Sequence, residues 1–448
     1  MLGNAVALAI VAVQVVSAQT FPSSAAIEAG GDASTLLTRA RAQILDSIRR
    51  MPKYTCLQTI DRKYYVPSVK ERVLRGTYES PRQACVGNRS DPMSLDATDR
   101  LRIEVAESSE GEIHSWPGAS RFDTRSIDQV IPFGPASSGS FGAYLRDIFD
   151  NPGAQVRFIG RNAKPSGTVF AYSFHVPRKA SHSFVKTRRG WTTTGNSGSF
   201  EIDAATAELA RVVIETDPLS PDTGMCQATT TIDYQLLLMG DGKFLIPRRS
   251  ELQTVNVDNS RTDSAAEFSA CREYTAESTI RFDDQKTATF PIHTPPQRTS
   301  AFPPGVTLTL ALLDGIDLST AAAGDPISAK VVDCVGIDGS KQVRVPTDAI
   351  ARGRIVQIRH EFSTSEFVIA LRFNRLEMGG VVSPFAVRLD RKLEAERRTP
   401  RGLAARGTEF SLSKSAPMVP ENLLVFPATS GAYRIPAGFE SKWITLKP

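Results

Sequence analysis

The chain has 448 residues, 41% hydrophobic and 23% charged, which is ordinary globular chemistry and excludes a low-complexity or largely disordered protein. Fifty-three basic residues stand against 48 acidic ones, a net charge of +5, too balanced to argue for a nucleic-acid binder. The length exceeds what one hydrophobic core normally serves, so two domains are expected.

The chain opens on an apolar, uncharged run that ends in Val16-Ser17-Ala18. A small-x-small end after such a run predicts a secretory signal peptide over 1–18, cut after Ala18. The run is short of the ~20 residues a membrane span needs. No later segment is long and apolar enough to span, so the mature chain is expected to lie outside the cytoplasm, periplasmic or at the outer membrane, without a transmembrane helix. Residues 19–32 read as a flexible N-terminus. A helix follows over 34–51, with Leu37, Ala40, Ile44, Ile48 and Met51 on one face. Asp32 or Ser34 can cap its start, and Pro52 stops it.

Strands are predicted over 54–66, 69–79, 101–108 and 113–116. A loop spans 120–138. A short helix over 139–149 carries Phe141, Tyr144, Leu145, Ile148 and Phe149 on one side. Further strands cover 155–160 and 168–176; in the second, Phe170, Tyr172, Phe174 and Val176 alternate with smaller or polar residues. Four long strands come next, over 197–203, 209–217, 226–257 folded once at Gly240-Asp241-Gly242, and 265–283. In the last, Phe268, Ala270, Tyr274, Ala276, Ile280 and Phe282 take alternate positions. A period of two sends them to one face of a sheet. Strands this long call for a large curved antiparallel sheet whose apolar face must be covered. Phe170, Tyr172, Phe174, Tyr234, Phe268 and Tyr274 are therefore either core under a covering helix or the lining of an apolar cavity with helices as its lid.

Residues 284–304 carry five prolines among polar residues and read as a stiff linker. Beyond it, 305–448 is a smaller unit of short strands and glycine turns, a β-barrel or sandwich. Its basic excursion over 390–407 reads as a solvated loop, with an anionic-polymer or envelope-surface contact as the sharper reading.

Five cysteines suit an oxidising compartment. Sequence cannot fix their pairing; the simplest expectation is local, Cys56 with Cys85 and Cys226 with Cys271, each bridge contributing about 3–4 kcal/mol. Cys334 is then left over, buried in a strand. The alternative is five buried thiols.

None of the five histidines, His114, His175, His182, His293 and His360, stands at metal-ligand spacing from another His or Cys. No metal or cofactor is expected. Nucleophile elbow, phosphate loop and dinucleotide fingerprint are absent from the sequence. Ser183–Lys186 and Ser411–Lys414 match S-x-x-K, but in strand-like or loop-like sequence that spacing does not bring Ser and Lys together as one helical turn would.

The first unit resembles the LolA-like family of lipoprotein carriers. The resemblance rests on Tyr172-Ser-Phe-His-Val-Pro177, on Phe200-Glu-Ile-Asp203-Ala-Ala-Thr206-Ala-Glu-Leu209-Ala-Arg211, and on Thr231-Ile-Asp-Tyr234 with Leu245-Ile-Pro247. It implies a curved antiparallel half-barrel closed by helices over 33–283, with room for acyl chains. The second unit weakly resembles the C-terminal barrel of the channel protein of type IV secretion and conjugation, through Pro303-Pro-Gly305, Ala323-Gly324-Asp325 and Arg344-Val-Pro346. The expected fold is thus mainly β. The expected function is that of an exported, non-catalytic envelope protein binding an apolar ligand or a protein partner. A structural adaptor without a ligand cavity is the alternative, and a hydrolase the remote one.

Overall fold

The computed structural model describes residues 24–68, 85, 92–108, 111–119, 122, 127, 142–165, 167–187, 190–273, 303–335, 337–338, 341–342, 348–390, 422–427 and 434–447. The signal segment, the 69–79 strand, residues 284–302 of the linker and the basic excursion beyond Asp390 lie outside the described residues.

The first half contains α1 (Ser24–Arg50), β1 (Tyr54–Pro67), β2 (Met93–Ser108), β3 (Gly111–Ser115), α2 (Ala143–Phe149), β4 (Gln155–Lys164), β5 (Gly167–Val176), β6 (Phe184–Thr187), β7 (Gly190–Thr193), β8 (Asn196–Asp203), β9 (Leu209–Thr216), β10 (Met225–Met239), β11 (Gly242–Asn256) and β12 (Arg261–Glu273). In space the sheet runs β4-β5-β8-β9-β10-β11-β12-β1-β2-β3, antiparallel at every step. β6 and β7 stand apart as a two-stranded hairpin.

Helix α1 starts at Ser24, earlier than the capped start expected at residue 34. Ala25, Ala26, Glu28 and Ala29 are strong helix formers and carry it through Gly30-Gly31. The helix stops at Arg50 because Met51, ahead of Pro52, is pushed toward extended backbone. Its buried positions Ala33, Leu36, Ala40 and Ile44 follow the three-four spacing of one helical face.

β12 departs from strict alternation. Ala266 and Phe268 are buried as expected, but Ala270 is exposed with φ 48°, and the pairing with β1 slips between Thr55 and Leu57. The extra residue is a β-bulge, which turns Cys271 to the other face. Cys271 thereby meets the buried Cys56, and the two form a disulfide. The second disulfide joins Cys85 to Cys226. The local pairing expected from sequence is therefore wrong. Partners are set by strand neighbours and not by chain distance, since Cys56 and Cys271 are 215 residues apart in sequence. Cys334 takes part in neither bridge and is half-buried where a fully buried position was expected.

The second half contains β13 (Thr307–Leu312), β14 (Ile316–Asp317), β15 (Pro326–Val335), β16 (Ile337–Asp338), β17 (Lys341–Gln342), β18 (Ile350–Glu361), β19 (Glu366–Met378), β20 (Val381–Pro384), β21 (Val387–Leu389), β22 (Leu423–Pro427), β23 (Arg434–Ile435) and β24 (Glu440–Thr445). β24-β13-β15-β18-β19 pair in that order. The 381–389 segment pairs with β19 through β20 and with β24 through β21, which closes a barrel. Its core is aliphatic around the fully buried Trp443 and Phe373.

The two halves share one hydrogen-bonded sheet. β2 pairs with β18 at Asp99–Arg359, Thr98–His360 and Ala97–Glu361. Farther along, the Arg102 amide donates to the Ala323 carbonyl at 2.7 Å and the Ala323 amide to the Arg100 carbonyl at 2.9 Å. Among the described residues, no helix is long and apolar enough to cross a membrane.

Candidate functional site

The hollow side of the half-barrel is filled. Ala33, Leu36, Ala40 and Ile44 of α1 and Leu145, Ile148 and Phe149 of α2 pack on Phe170, Tyr172, Phe174, Phe200, Ile232 and Tyr234 as one buried cluster. Tyr172 stacks on Phe200 at 5.1 Å, and Phe149 meets the same ring edge-on at 4.9 Å. Alanines at 33 and 40 let the helix approach closely. Polar anchors fix α1 along its length. The Tyr172 hydroxyl donates to the Ala33 carbonyl at 2.8 Å, Arg39 donates to the Ala205 carbonyl at 3.0 Å, and the Ser47 hydroxyl accepts the Leu245 amide at 2.9 Å. Burial pushes the Tyr172 hydroxyl up to about 12.

Of the aromatic residues singled out from sequence, Phe170, Tyr172, Phe174 and Tyr234 come together in this cluster. Phe268 belongs to a neighbouring one, with Tyr54, Ile103, Phe244 and Ile246. Tyr274 lies outside the described residues. Each of the five described residues is less than a tenth exposed.

Two buried groups sit awkwardly in this interior. Among the described residues, the Tyr234 hydroxyl and both His114 ring nitrogens have no hydrogen-bond partner. Burial holds His114 down to about 4, although Glu112 lies 3.7 Å away. That distance is too long for a hydrogen bond, so the carboxylate does not rescue the charged ring. Tyr234 is pushed up by burial first, then by Tyr144 and Glu112.

An open cleft of about 750 Å³ lies elsewhere, where the second half leans over the sheet of the first. Its floor includes Thr231, Glu251, Gln253, Asp263 and Glu267, which alternate with buried Ile232, Ser250, Thr254, Ser264 and Ala266. Its wall carries Leu318, Ser319, Ile358, His360 and Phe367. Most of its charges already neutralise one another. Arg100 meets Asp61 at 2.6 Å, and Arg249 meets Glu251 at 2.7 Å and Glu267 at 3.2 Å. His360 stacks on Phe367 at 4.3 Å, and burial lowers its pKa, partly offset by Glu361.

Behind the cleft lies a buried ion pair. Arg62, 2% exposed, holds Asp99 by two bonds of 2.7 Å, and the Tyr64 hydroxyl adds a third at 3.1 Å. The Arg359 guanidinium of β18 lies over the Tyr64 ring at 4.6 Å, so the cluster reaches across the seam. Elsewhere on the same seam Arg102 pairs with Asp325. Sequence reading missed this group. The usable signal was phase: Arg62 shares the alternation of Cys56 and Ile60, and an arginine in phase with apolar residues announces a buried partner.

The arrangement nearest to a catalytic set is His182 with Asp147. The His182 Nδ1 is 2.6 Å from the buried Asp147 carboxylate. The Ser183 hydroxyl, however, contacts Asp147 at 3.5 Å and accepts from Asn196 at 3.0 Å. A nucleophilic serine would sit on the other ring nitrogen of the histidine. Ser183 and Lys186 lie in extended sequence at the start of β6, and Ser411 and Lys414 lie outside the described residues.

No protein-family pattern matches the chain, and no curated protein does. Solved structures are similar in fold. A putative outer membrane lipoprotein-sorting protein domain from Vibrio parahaemolyticus aligns over 55% of this chain and 93% of its own, at 10% identity and TM-score 0.26. A LolA superfamily protein from Nitrosomonas europaea aligns over 55% and 94%, at 8% identity and TM-score 0.25. A DUF1329 family protein from Desulfovibrio piger aligns over 56% and 95%, at 9% identity and TM-score 0.26. At such scores the likeness carries no argument about activity, which has to come from this chain's own residues.

Proposed function

We propose that this is an exported, non-catalytic protein of the bacterial cell envelope that binds a partner on its surface and does not store an acyl chain inside its half-barrel. The observation that carries the reading is the occupied hollow, where α1 places Ala33, Leu36, Ala40 and Ile44 against the aromatic face an acyl chain would need. The cleft offers the alternative binding place. A ligand pocket for hydrocarbon is mostly apolar, whereas this one is lined by neutralised ion pairs, threonines and a glutamine. It suits an extended polar segment of a protein. In this reading residues 284–304 link two units, 33–283 and 305–448, and the first 18 residues direct export to the periplasm.

The test is lipid content. Mature protein, purified without detergent, is extracted and analysed by mass spectrometry, then titrated with a fluorescent fatty acid. The expected result is no stoichiometric lipid and no saturable fluorescence. One bound lipid per chain, released when α1 is loosened by Leu36→Asp, would replace this reading with an acyl carrier.

A further inference from the structure

Between Asp150 and Glu201 the chain has no acidic residue and eight lysines and arginines, although the whole protein carries a net charge of only +5. The remaining residues sum to a net acidic charge, although the excursion over 390–407 is basic as well; within the segment Arg161 pairs with Asp32 and Lys164 with Glu201. That segment forms β4, β5 and the β6–β7 hairpin.

Apolar exposure is concentrated there too. Among the described residues, ten large hydrophobic side chains are exposed, and four of them, Val156, Ile159, Phe184 and Trp191, fall in this segment. Phe184 is 58% and Trp191 61% exposed. In the hairpin Phe184 pairs with Thr193 and Lys186 with Trp191. Two residues apart along the ribbon, these pairs place Phe184 and Trp191 on the same face. Arg178 and Lys179, just ahead of the hairpin, are exposed.

The hairpin root and the first residues of β4 lie at one end of the sheet. Gln155 pairs with His175 at the end of β5, the Asn151 amide donates to the Ala180 carbonyl at 2.6 Å, and Arg178 donates to Thr192 at 3.2 Å. Arg157 of β4 thus belongs to the same end as the hairpin.

We propose that the β6–β7 hairpin is a peripheral anchor for an anionic lipid surface. Tryptophan and phenylalanine at a tip favour the headgroup region, where a ring is half-wet and half-apolar. The exposed Arg157, Arg178 and Lys179 at this end are attracted to anionic headgroups. A protein partner of ordinary surface charge does not call for a long acid-free segment, whereas an anionic bilayer does. The proposal rests on the export reading only for access to such a surface. It concerns a headgroup contact, and fatty-acid binding inside the half-barrel is tested separately above.

The test uses full-length mature protein and vesicles of phosphatidylcholine, with and without an equal part of phosphatidylglycerol. Sedimentation is expected with anionic vesicles only, weakening as salt rises. Tryptophan fluorescence shifts to the blue on binding. Trp443 is fully buried and Trp116 half-buried, so the shift reports mainly Trp191. The Phe184→Ser, Trp191→Ser double variant is expected to lose at least about tenfold in vesicle affinity, and Arg178→Glu a similar amount. Far-ultraviolet dichroism checks that both variants fold. No sedimentation with anionic vesicles, or binding that the folded double variant retains in full, overturns the proposal. Equal binding to neutral vesicles overturns its electrostatic half.

Discussion

At the scale of single residues, the interior is held by groups whose cost depends on what they face. His114 is neutral in the folded chain because burial holds its pKa at about 4, against 6.5 in the unfolded chain. Above the higher value neither state is protonated, and the residue adds no pH dependence. Between the two values the unfolded chain binds the proton and the folded chain does not, so stability falls as pH falls through that window. The loss amounts to about 3 kcal/mol at its lower end. His114→Leu should flatten this part of the stability profile, measured by chemical denaturation; an unchanged slope would show that the ring is charged in place, against Glu112. Arg62 behaves oppositely, since it is useful only while Asp99 is there. Arg62→Met leaves the Asp99 carboxylate buried beside the Tyr64 hydroxyl at 3.1 Å without its guanidinium partner, and should cost about 3–5 kcal/mol. Adding Asp99→Leu removes the orphan charge and should recover most of that loss. If the double variant is no better than the single one, the pair is not a self-contained unit.

At the scale of elements, β12 is where sequence and structure part company. Its alternation was readable as far as Phe268, because period two needs only residue type. The bulge was not readable, since nothing marks Ala270 as a left-handed position; glycine is the usual cue. Ala270 has φ 48° and is exposed, and holding an L-residue there costs roughly 1–2 kcal/mol. Ala270→Gly should therefore raise the thermal midpoint and Ala270→Val should lower it. A fall with glycine would mean that the bulge is not strained. The cysteine pairing was hidden for the same reason, because it depends on which strands are neighbours and where their register slips. The amphipathic stripe of α1 was legible, but a stripe that lies on a sheet and one that roofs an empty cavity look alike in sequence. Only Ala33 and Ala40 in close contact with the aromatic face distinguish the two.

At the scale of the molecule, the halves are joined by main chain as well as by side chains, which a reading of domains and a linker did not foresee. β2 gave little warning, because Asp96, Asp99, Arg100 and Arg102 make its outer end look like a solvated strand. Its polar groups instead meet Ser319, Asp325 and Arg359 of the second half. The tightest point of the seam is Gly324. Its φ is 107°, its amide donates to the Ile355 carbonyl at 2.7 Å, and a Cβ there would lie 2.1 Å from the Arg102 carbonyl oxygen. Backbone cannot retreat from such a contact as a flexible side chain can. Gly324→Ala should thus part the Arg102–Ala323 ladder while leaving both cores intact. If the seam couples the halves, wild-type protein unfolds in one calorimetric transition and Gly324→Ala in two, with faster amide exchange at Arg102 and Ala323 in native conditions. Should the variant keep a single transition at the same midpoint, the ladder contributes nothing to cooperativity, and the halves are coupled instead by the β2–β18 pairing and the side chains around it.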